Sequence, residues 1–485
     1  MSKLNKDVLF LILEELQDDS KFLFSCLMVN RLWCETTIPV LWRKPWCYSI
    51  NYRNKNSLYL IITSYLSDNI KEFLTKKGIK VLNKPLAFDY LSFCRSIDIK
   101  ILDDIISIGS SSEYNRFIIQ EEIYGFLIKK CPEIKYLNIR GTYELVYLPE
   151  AMIHLESLCE LTCDTSIDSR YFYRISHICQ QTQRIIIINN NFKVNDGTIK
   201  LIEYQKNLKY FEWVDDYNFD DYYDSYYVPY DMEDPYTEIF DLLEKHANTL
   251  NHFEISLHYF DKYDYTFLEY TLLELHNLKV INIYSPLLFF NDDYCNEKLE
   301  IAAYHNLEIL KIESMDIYQV TCIVKNSFYL RELLINEYYV DYDIDVSLNF
   351  IRTICENCFL IEYLTIPVFP LLESHFIEFE KLLNKCQKLR SLHFRGIHYE
   401  KERELEYGEY LSNVLIREAS TNLRDVGFSS DIKFSLKDLE TFFEKWKGRP
   451  AISIYMNNNY FYQDDSYKKL ISKYKTEGVI KYINV

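Results

Sequence analysis

A short apolar phrase recurs through most of this chain. It reads Cys-Pro-Glu-Ile-Lys-Tyr-Leu-Asn-Ile at 131–139, Asn-Leu-Lys-Val-Ile-Asn-Ile at 277–283 and Asn-Leu-Glu-Ile-Leu-Lys-Ile at 306–312. Later copies place Leu330, Leu333 and Ile335, then Ile361, Leu364 and Ile366, then Leu389, Leu392 and Phe394 in the same frame. The shared core is apolar-x-x-apolar-x-apolar. A small unit repeated this often folds as an array, because each copy can bury its apolar side only against its neighbours. Arrays of this kind offer long binding surfaces.

The last two apolar positions of the phrase alternate with polar ones, as in a strand with one buried face. The frame predicts strands at 134–139, 158–163, 182–187, 208–213, 250–255, 278–283, 307–312, 330–335, 361–366, 389–394 and 423–428. First positions step by 23 to 34 residues, with one step of 42 between Leu208 and Leu250. That long step holds an acidic, tyrosine-rich insert at about 215–236, read as a surface loop. Between Val214 and Glu244 there are eleven acidic residues and no Lys or Arg. Helical stripes fill the gaps between strands. Ile123, Phe126 and Leu127 form one; Phe350, Ile351, Ile354, Cys355 and Cys358 another; Phe379, Leu382, Leu383 and Cys386 a third. Each unit is therefore a strand and a helix. These features resemble the leucine-rich repeat family, in its longer, irregular type. The resemblance implies an α/β solenoid: a curved array over 131–485 with a parallel sheet on the concave side and helices on the convex side.

The first fifty residues follow another pattern. Leu4, Val8, Leu9, Ile12, Leu13 and Leu16 recur at helical spacing, and a break follows at Asp18-Asp19-Ser20. Three of the five tryptophans, Trp33, Trp42 and Trp46, then fall within fourteen residues. Two or three short helices of this length have too little core to stand alone, so their apolar surface calls for a partner. Leu4-Asn5-Lys6-Asp7-Val8-Leu9, Val29-Asn30-Arg31-Leu32-Trp33 and Ile38-Pro39-Val40-Leu41-Trp42 resemble an F-box, in a fungal-type branch whose members also carry leucine-rich repeats. The chain departs from the family at Asn5, where proline is usual and would fix the start of the helix. The domain expectation is an F-box at 1–48, a helical linker or irregular first repeats at 49–130, and repeats from 131 onward. A plain N-terminal cap for the array is the rival reading of the head. The long stretch 47–133 between Trp46 and the first expected strand speaks against it.

Bulk properties exclude several classes. The formal net charge of −18 opposes a general role on nucleic acid or anionic membrane, which need a basic footprint. No apolar run reaches the length of a membrane helix, and the start is too acidic for a signal peptide. The 13 cysteines are an odd number in a long chain, which points to free thiols in cytosol or nucleus. Cys131, Cys179, Cys358 and Cys386 each sit three residues before a first apolar position, as small apolar plugs. Cys355 and Cys358 form a lone C-x-x-C without the second ligand pair of a zinc site.

No glycine-rich phosphate loop, H-E-x-x-H or G-x-S-x-G occurs. His246, His252 and His258 are evenly spaced but straddle helix, strand and loop, and read as surface or capping groups. The pairs Asp292-Asp293 and Asp464-Asp465 lie in loop-like stretches. No catalytic residue, metal or cofactor is therefore expected, and surface recognition is what remains. The outward strand positions are Tyr136, Asn138, Tyr210, Glu212, His252, Glu254, Asn282, Lys311, Glu332, Tyr363, Ser391 and His393. Of these, Tyr136, Tyr210, Glu212, Glu254, Lys311 and Tyr363 are the candidates to touch a protein target. The F-box resemblance implies docking to a Skp-type adaptor, and through it to a cullin. By family analogy Leu4, Val8, Leu9, Ile12, Leu16, Val29 and Trp33 form the docking or supporting face. It further implies the target-recognition subunit of an SCF-type ubiquitin ligase, or, failing that role, a non-catalytic interaction scaffold.

Overall fold

The computed structural model describes residues 5–484 apart from 18, 48–51, 83–84, 110–111, 132, 142–144, 149–150, 191–194, 218–232, 259–264, 285–292, 340–343, 396–402, 431 and 458. Leu4, Asp292 and most of the acidic insert thus lie outside the described residues. The chain forms two compact units, residues 1–209 with 216–235, and residues 210–215 with 236–485.

The first unit opens with three short helices: α1 (Lys6–Glu15), α2 (Ser20–Leu27) and α3 (Arg31–Leu41). Each has a polar N-cap. The Asn5 side chain accepts from Asp7 N, Asp19 from Phe22 N, and Asn30 from Trp33 N. Capping stops such short helices from fraying. Leu9 and Leu13 of α1 and Leu23 of α2 are fully buried. Four strands follow: β1 (Ser96–Asp98), β2 (Tyr136–Asn138), β3 (Glu160–Asp164) and β4 (Arg184–Asn189). They pair in parallel and in chain order, with helices in the crossovers. Ile97, Leu137, Leu161 and Ile185 lie in one register row and are buried.

The second unit continues the same plan. Its strands are β5 (Tyr210–Asp215), β6 (His252–Ser256), β7 (Val280–Tyr284), β8 (Ile309–Asp316), β9 (Glu332–Tyr339), β10 (Tyr363–Pro367), β11 (Ser391–Arg395), β12 (Asp425–Phe428), β13 (Ile452–Met456) and β14 (Ile480–Ile483). All pair in parallel with their chain neighbours. Phe211, Phe253, Ile281, Leu310, Leu333, Leu364, Leu392, Val426 and Ile454 form one buried row across the sheet. Strand and helix alternating along a parallel sheet in chain order is the architecture of an α/β solenoid of repeats.

A regular backbone device fixes the step between repeats. At most of the described steps the carbonyl just ahead of a strand accepts two amides from the next repeat. Lys279 O takes Glu308 N at 2.8 Å and Ile309 N at 3.0 Å, and Arg390 O takes Arg424 N at 2.8 Å and Asp425 N at 3.1 Å. The ladder shifts register at Ile452/Ser453, between β13 and β14, and is cut short between β9 and β10. There the buried Thr365 hydroxyl accepts from Ile335 N at 2.6 Å and donates to Leu333 O at 3.3 Å. A side chain thus replaces the missing backbone rungs.

Every strand expected from the phrase is present, but two residues late. Leu208, Leu250, Leu278, Leu307 and Leu330 stand in the turn ahead of the strand and are still fully buried. Three more strands lie outside the frame of the phrase. β1 lies inside 49–130, where the apolar run at 97–108 reads as helix; the strand ends at Asp98, which caps the helix Ile99–Ser107 through Ile101 N at 2.9 Å. β13 and β14 follow Pro450 and Gly478, where the first apolar position of the phrase is absent or displaced.

Candidate functional site

The head has two apolar faces. In α1, Leu9 and Leu13 point inward, and Val8, Leu11 and Ile12 share the other side at steps of three and four. Leu11 is 62% exposed and Ile12 is 42% exposed. Phe22 and Phe24 of α2, with Met28, Val29 and Leu32 around the turn into α3, are exposed as well, Met28 at 86%. Single exposed apolar groups are ordinary, but a group of this size on three short helices marks a candidate interaction surface. Among the family-implied residues, Val8, Ile12 and Val29 are exposed, Leu16 and Trp33 are half-buried, and Leu9 is internal, a supporting residue. Sequence reasoning missed Leu11, Phe22, Phe24, Met28 and Leu32. Helical phase could have found Leu11, which is three residues from Val8.

The far end of the head meets the first strand. Arg43 O accepts from Arg95 N at 2.9 Å, as Arg95 O accepts from Lys135 N at 2.8 Å in the next repeat. The indole of Trp46, only 3% exposed, donates to Ser96 O at 2.9 Å. Trp42 packs on Tyr90 with ring centroids 4.6 Å apart. Lys44 Nζ sits 3.2 Å above the Tyr136 ring. The spacing argument against a cap is therefore wrong: β1 supplies an earlier edge, and the head covers it. Two of the clustered tryptophans serve that contact and not a partner. Tyr136, expected on an open wall, is covered by Lys44, and Asn138 is engaged, its Nδ2 donating to Asp98 Oδ2 at 2.9 Å.

On the outward sheet face of the second unit, Tyr210, Glu212, His252 and Glu254 converge. The Tyr210 hydroxyl donates to Glu212 Oε2 at 2.6 Å and reaches Glu254 Oε2 at 3.0 Å, and the His252 ring stacks on Tyr210 at 4.0 Å. Lys311 pairs with Glu332 at 2.9 Å. Asn282 and Tyr363 are half-buried on the same face. Ser391, expected outward, is buried. A second group was missed because two of its members come from unexpected strands. His393 lies flat over Gly427, whose added Cβ would stand 2.2 Å from His393 Nδ1. Tyr455 stacks beside His393 at 5.7 Å, and Tyr482 follows at 5.5 Å. Burial holds the His393 imidazole below its ordinary pKa, with Arg395 adding to the effect.

Other groups have structural places. Asp215, at the border of the insert, is buried and accepts from Trp213 Nε1 at 2.9 Å, Tyr236 Oη at 2.8 Å and His258 N at 2.9 Å. One carboxylate therefore pins both ends of the insert, so 215 and 236 are not loop surface. His246, expected as a surface or capping group, is buried in the short helical turn Glu244–His246. Asp464 caps the helix Asp465–Thr476 through Ser466 N at 2.7 Å. Cys131, Cys179, Cys358 and Cys386 are fully buried at helix ends, and burial pushes the Cys179, Cys358 and Cys386 thiols up to about 12. Ser347 Oγ lies 3.0 Å from His375 Nε2, an arrangement of nucleophile and base. Both are fully buried, and His375 stacks on Phe369, so no substrate reaches them. Among the described residues no helix is long and apolar enough to cross a membrane.

No family model matches this chain, and no curated protein matches it. Among solved structures, the leucine-rich repeat-containing protein LegL7 from Legionella pneumophila is similar over 73% of this chain and 94% of that chain, at 12% identity and a TM-score of 0.28. The repeat assignment rests on the strand ladder itself.

Proposed function

We propose that this chain is the target-recognition subunit of an SCF-type ubiquitin ligase, active in cytoplasm or nucleus. The exposed apolar face of α1 and α2, with the turn at Met28 and Val29, docks a Skp-type adaptor and through it a cullin. The repeats hold a protein target for ubiquitin-dependent degradation. The subunit makes no bond itself. It works by raising the local concentration of acceptor lysines near the conjugating enzyme. The observation that carries this reading is the doubly apolar α1: one face completes the head, and the other, at Val8, Leu11 and Ile12, is open to solvent. Asn5 does not weigh against it. Its φ of −67° is the angle proline would impose, and its side chain caps the helix instead.

A scaffold without a ubiquitin role is the second reading, favoured by the cap contact at Arg43 and Trp46, which gives the head a structural duty of its own. Reconstitution with adaptor, cullin and conjugating enzyme separates the two. The receptor reading expects target ubiquitylation that is lost in an Ile12→Asp, Leu16→Asp variant. Adaptor binding without any modification of captured proteins would favour the scaffold.

A further inference from the structure

The cysteines that end repeat helices each press on the repeat before. Cys179 Sγ reaches Leu155 O at 3.3 Å, Cys358 Sγ reaches Val324 O at 3.9 Å, and Cys386 Sγ reaches Cys358 O at 3.7 Å. In all three the sulfur meets a backbone carbonyl, and burial keeps the thiol protonated. Cys131 holds the same place, as the cap residue of the helix Glu113–Lys130. The repeat before it offers a second thiol instead. Cys94, two residues ahead of β1, is fully buried like Cys131, and the two side chains hydrogen-bond to each other. Both are free thiols.

Cys94 differs from the helix-end cysteines in its surroundings. Its thiol donates to Ser96 O at 3.1 Å, the carbonyl that also takes the Trp46 indole. The Ser96 hydroxyl is 5% exposed and has no regular hydrogen-bond partner, so it is a spare donor beside the sulfur. Arg95 Nη1 donates to Ser92 O and Cys94 O, both at 2.9 Å, which fixes a positive charge nearby. The Cys131 hydrogen bond above all, then Ser96 and Arg95, outweigh burial and bring the Cys94 thiol below its ordinary pKa. The same hydrogen bond, with burial added, pushes Cys131 well up. A lowered thiol touching a raised one is how an attacking cysteine stands beside its resolving partner. Neighbouring strands of a sheet lie about 4.8 Å apart, within the roughly 4.4–6.8 Å Cα span of a disulfide. Consecutive repeats can therefore be bridged with little backbone movement.

We propose that Cys94 and Cys131 are a site of reversible oxidation, closing a disulfide between the approach to β1 and the end of the helix Glu113–Lys130. The oxidant is hydrogen peroxide. The Cys94 sulfur attacks one peroxide oxygen and becomes a sulfenic acid. The O–O bond breaks, and the other oxygen leaves as water with the thiol's proton. The Cys131 sulfur then attacks the Cys94 sulfur. The S–S bond forms, the S–O bond breaks, and the hydroxyl leaves as a second water with the Cys131 proton. Two thiols are oxidised and one peroxide is reduced. Both sulfurs are covered in the closed molecule, so the oxidant reaches them only when the joint at Trp46 opens. The new bond ties the first repeat to the second, and the oxidised chain holds its first strand more firmly. None of this depends on adaptor docking or on the receptor reading.

The test treats the full chain with hydrogen peroxide, blocks the remaining thiols with iodoacetamide and maps disulfides by mass spectrometry of the non-reduced digest. A linked peptide pair containing Cys94 and Cys131 should form first, and dithiothreitol should remove it. Cys131→Ser should stop at a Cys94 sulfenic acid that dimedone traps, and Cys94→Ser should give neither product. Trp46→Ala should speed the linkage at least about tenfold, because it eases opening of the joint. The oxidised chain should exchange its amides at 95–98 at least about tenfold more slowly than the reduced chain. No linkage of Cys94 to Cys131, or one formed no faster than a linkage of Cys358 to Cys386, would overturn the proposal. So would an unchanged rate in Trp46→Ala, or no dimedone adduct in a Cys131→Ser chain that keeps its unfolding midpoint.

Discussion

Replacing Trp46 by alanine probes the joint between head and array. Trp46 is 3% exposed and its indole donates to Ser96 O, so the change removes a buried ring and a buried hydrogen bond. Truncating a buried tryptophan costs about 3–5 kcal/mol. The loss should fall on one place, since the rung beside it is Arg95 N to Arg43 O. Local opening made easier by about 3 kcal/mol raises amide exchange by roughly a hundredfold. Hydrogen exchange followed by mass spectrometry should show that rise at 95–98 and at Tyr136. The helix Leu436–Trp446 should exchange as before. Trp46→Phe keeps the ring and loses the donor. It should cost about 1 kcal/mol, because Cys94 Sγ also reaches Ser96 O, at 3.1 Å. Unchanged protection at 95–98 in Trp46→Ala would refute the reasoning, and the head would then not be holding the edge.

Three other outcomes follow from the packing. Gly427→Ala sets a Cβ against His393 and should cost about 1–3 kcal/mol in urea unfolding, with much of it recovered when His393→Ala is added. Thr365→Val leaves Ile335 N–H and Leu333 O without their bridging hydroxyl and should cost about 1–3 kcal/mol, read by the same melts. His375 has its pKa lowered by burial, so the unfolded chain binds its proton first as pH falls. Stability should be full above about pH 6.5 and decline as pH falls toward the lowered native value, and His375→Gln should flatten that part of the thermal midpoint profile.

Much of the fold was legible because its cause is local. Leu364 and Ile366, or Leu392 and Phe394, alternate with polar neighbours since one face of each strand is buried. The same logic failed at β1, where Ile97 is followed at once by the helix at Ile99 and the two apolar patterns merge. It failed at β13, where Pro450 and Ala451 stand in place of the usual leucine. The exposed apolar face of the head was half legible. Val8 and Ile12 follow from family analogy, but the exposure of Leu11, Phe24 and Met28 depends on which side of α1 and α2 the third helix covers. The cap contact was hidden, because Trp46 and Ser96 are fifty positions apart and nothing in either neighbourhood names the other. Gly427 gave no signal at all until His393 was found lying over it.

Titration calorimetry of the full chain with a purified Skp-type adaptor tests the central claim most directly. The account predicts a one-to-one complex that Leu11→Asp with Ile12→Asp weakens by at least about a hundredfold, while the unfolding midpoint moves little because both side chains are exposed. An adaptor that does not bind, or binds both proteins alike, would contradict it.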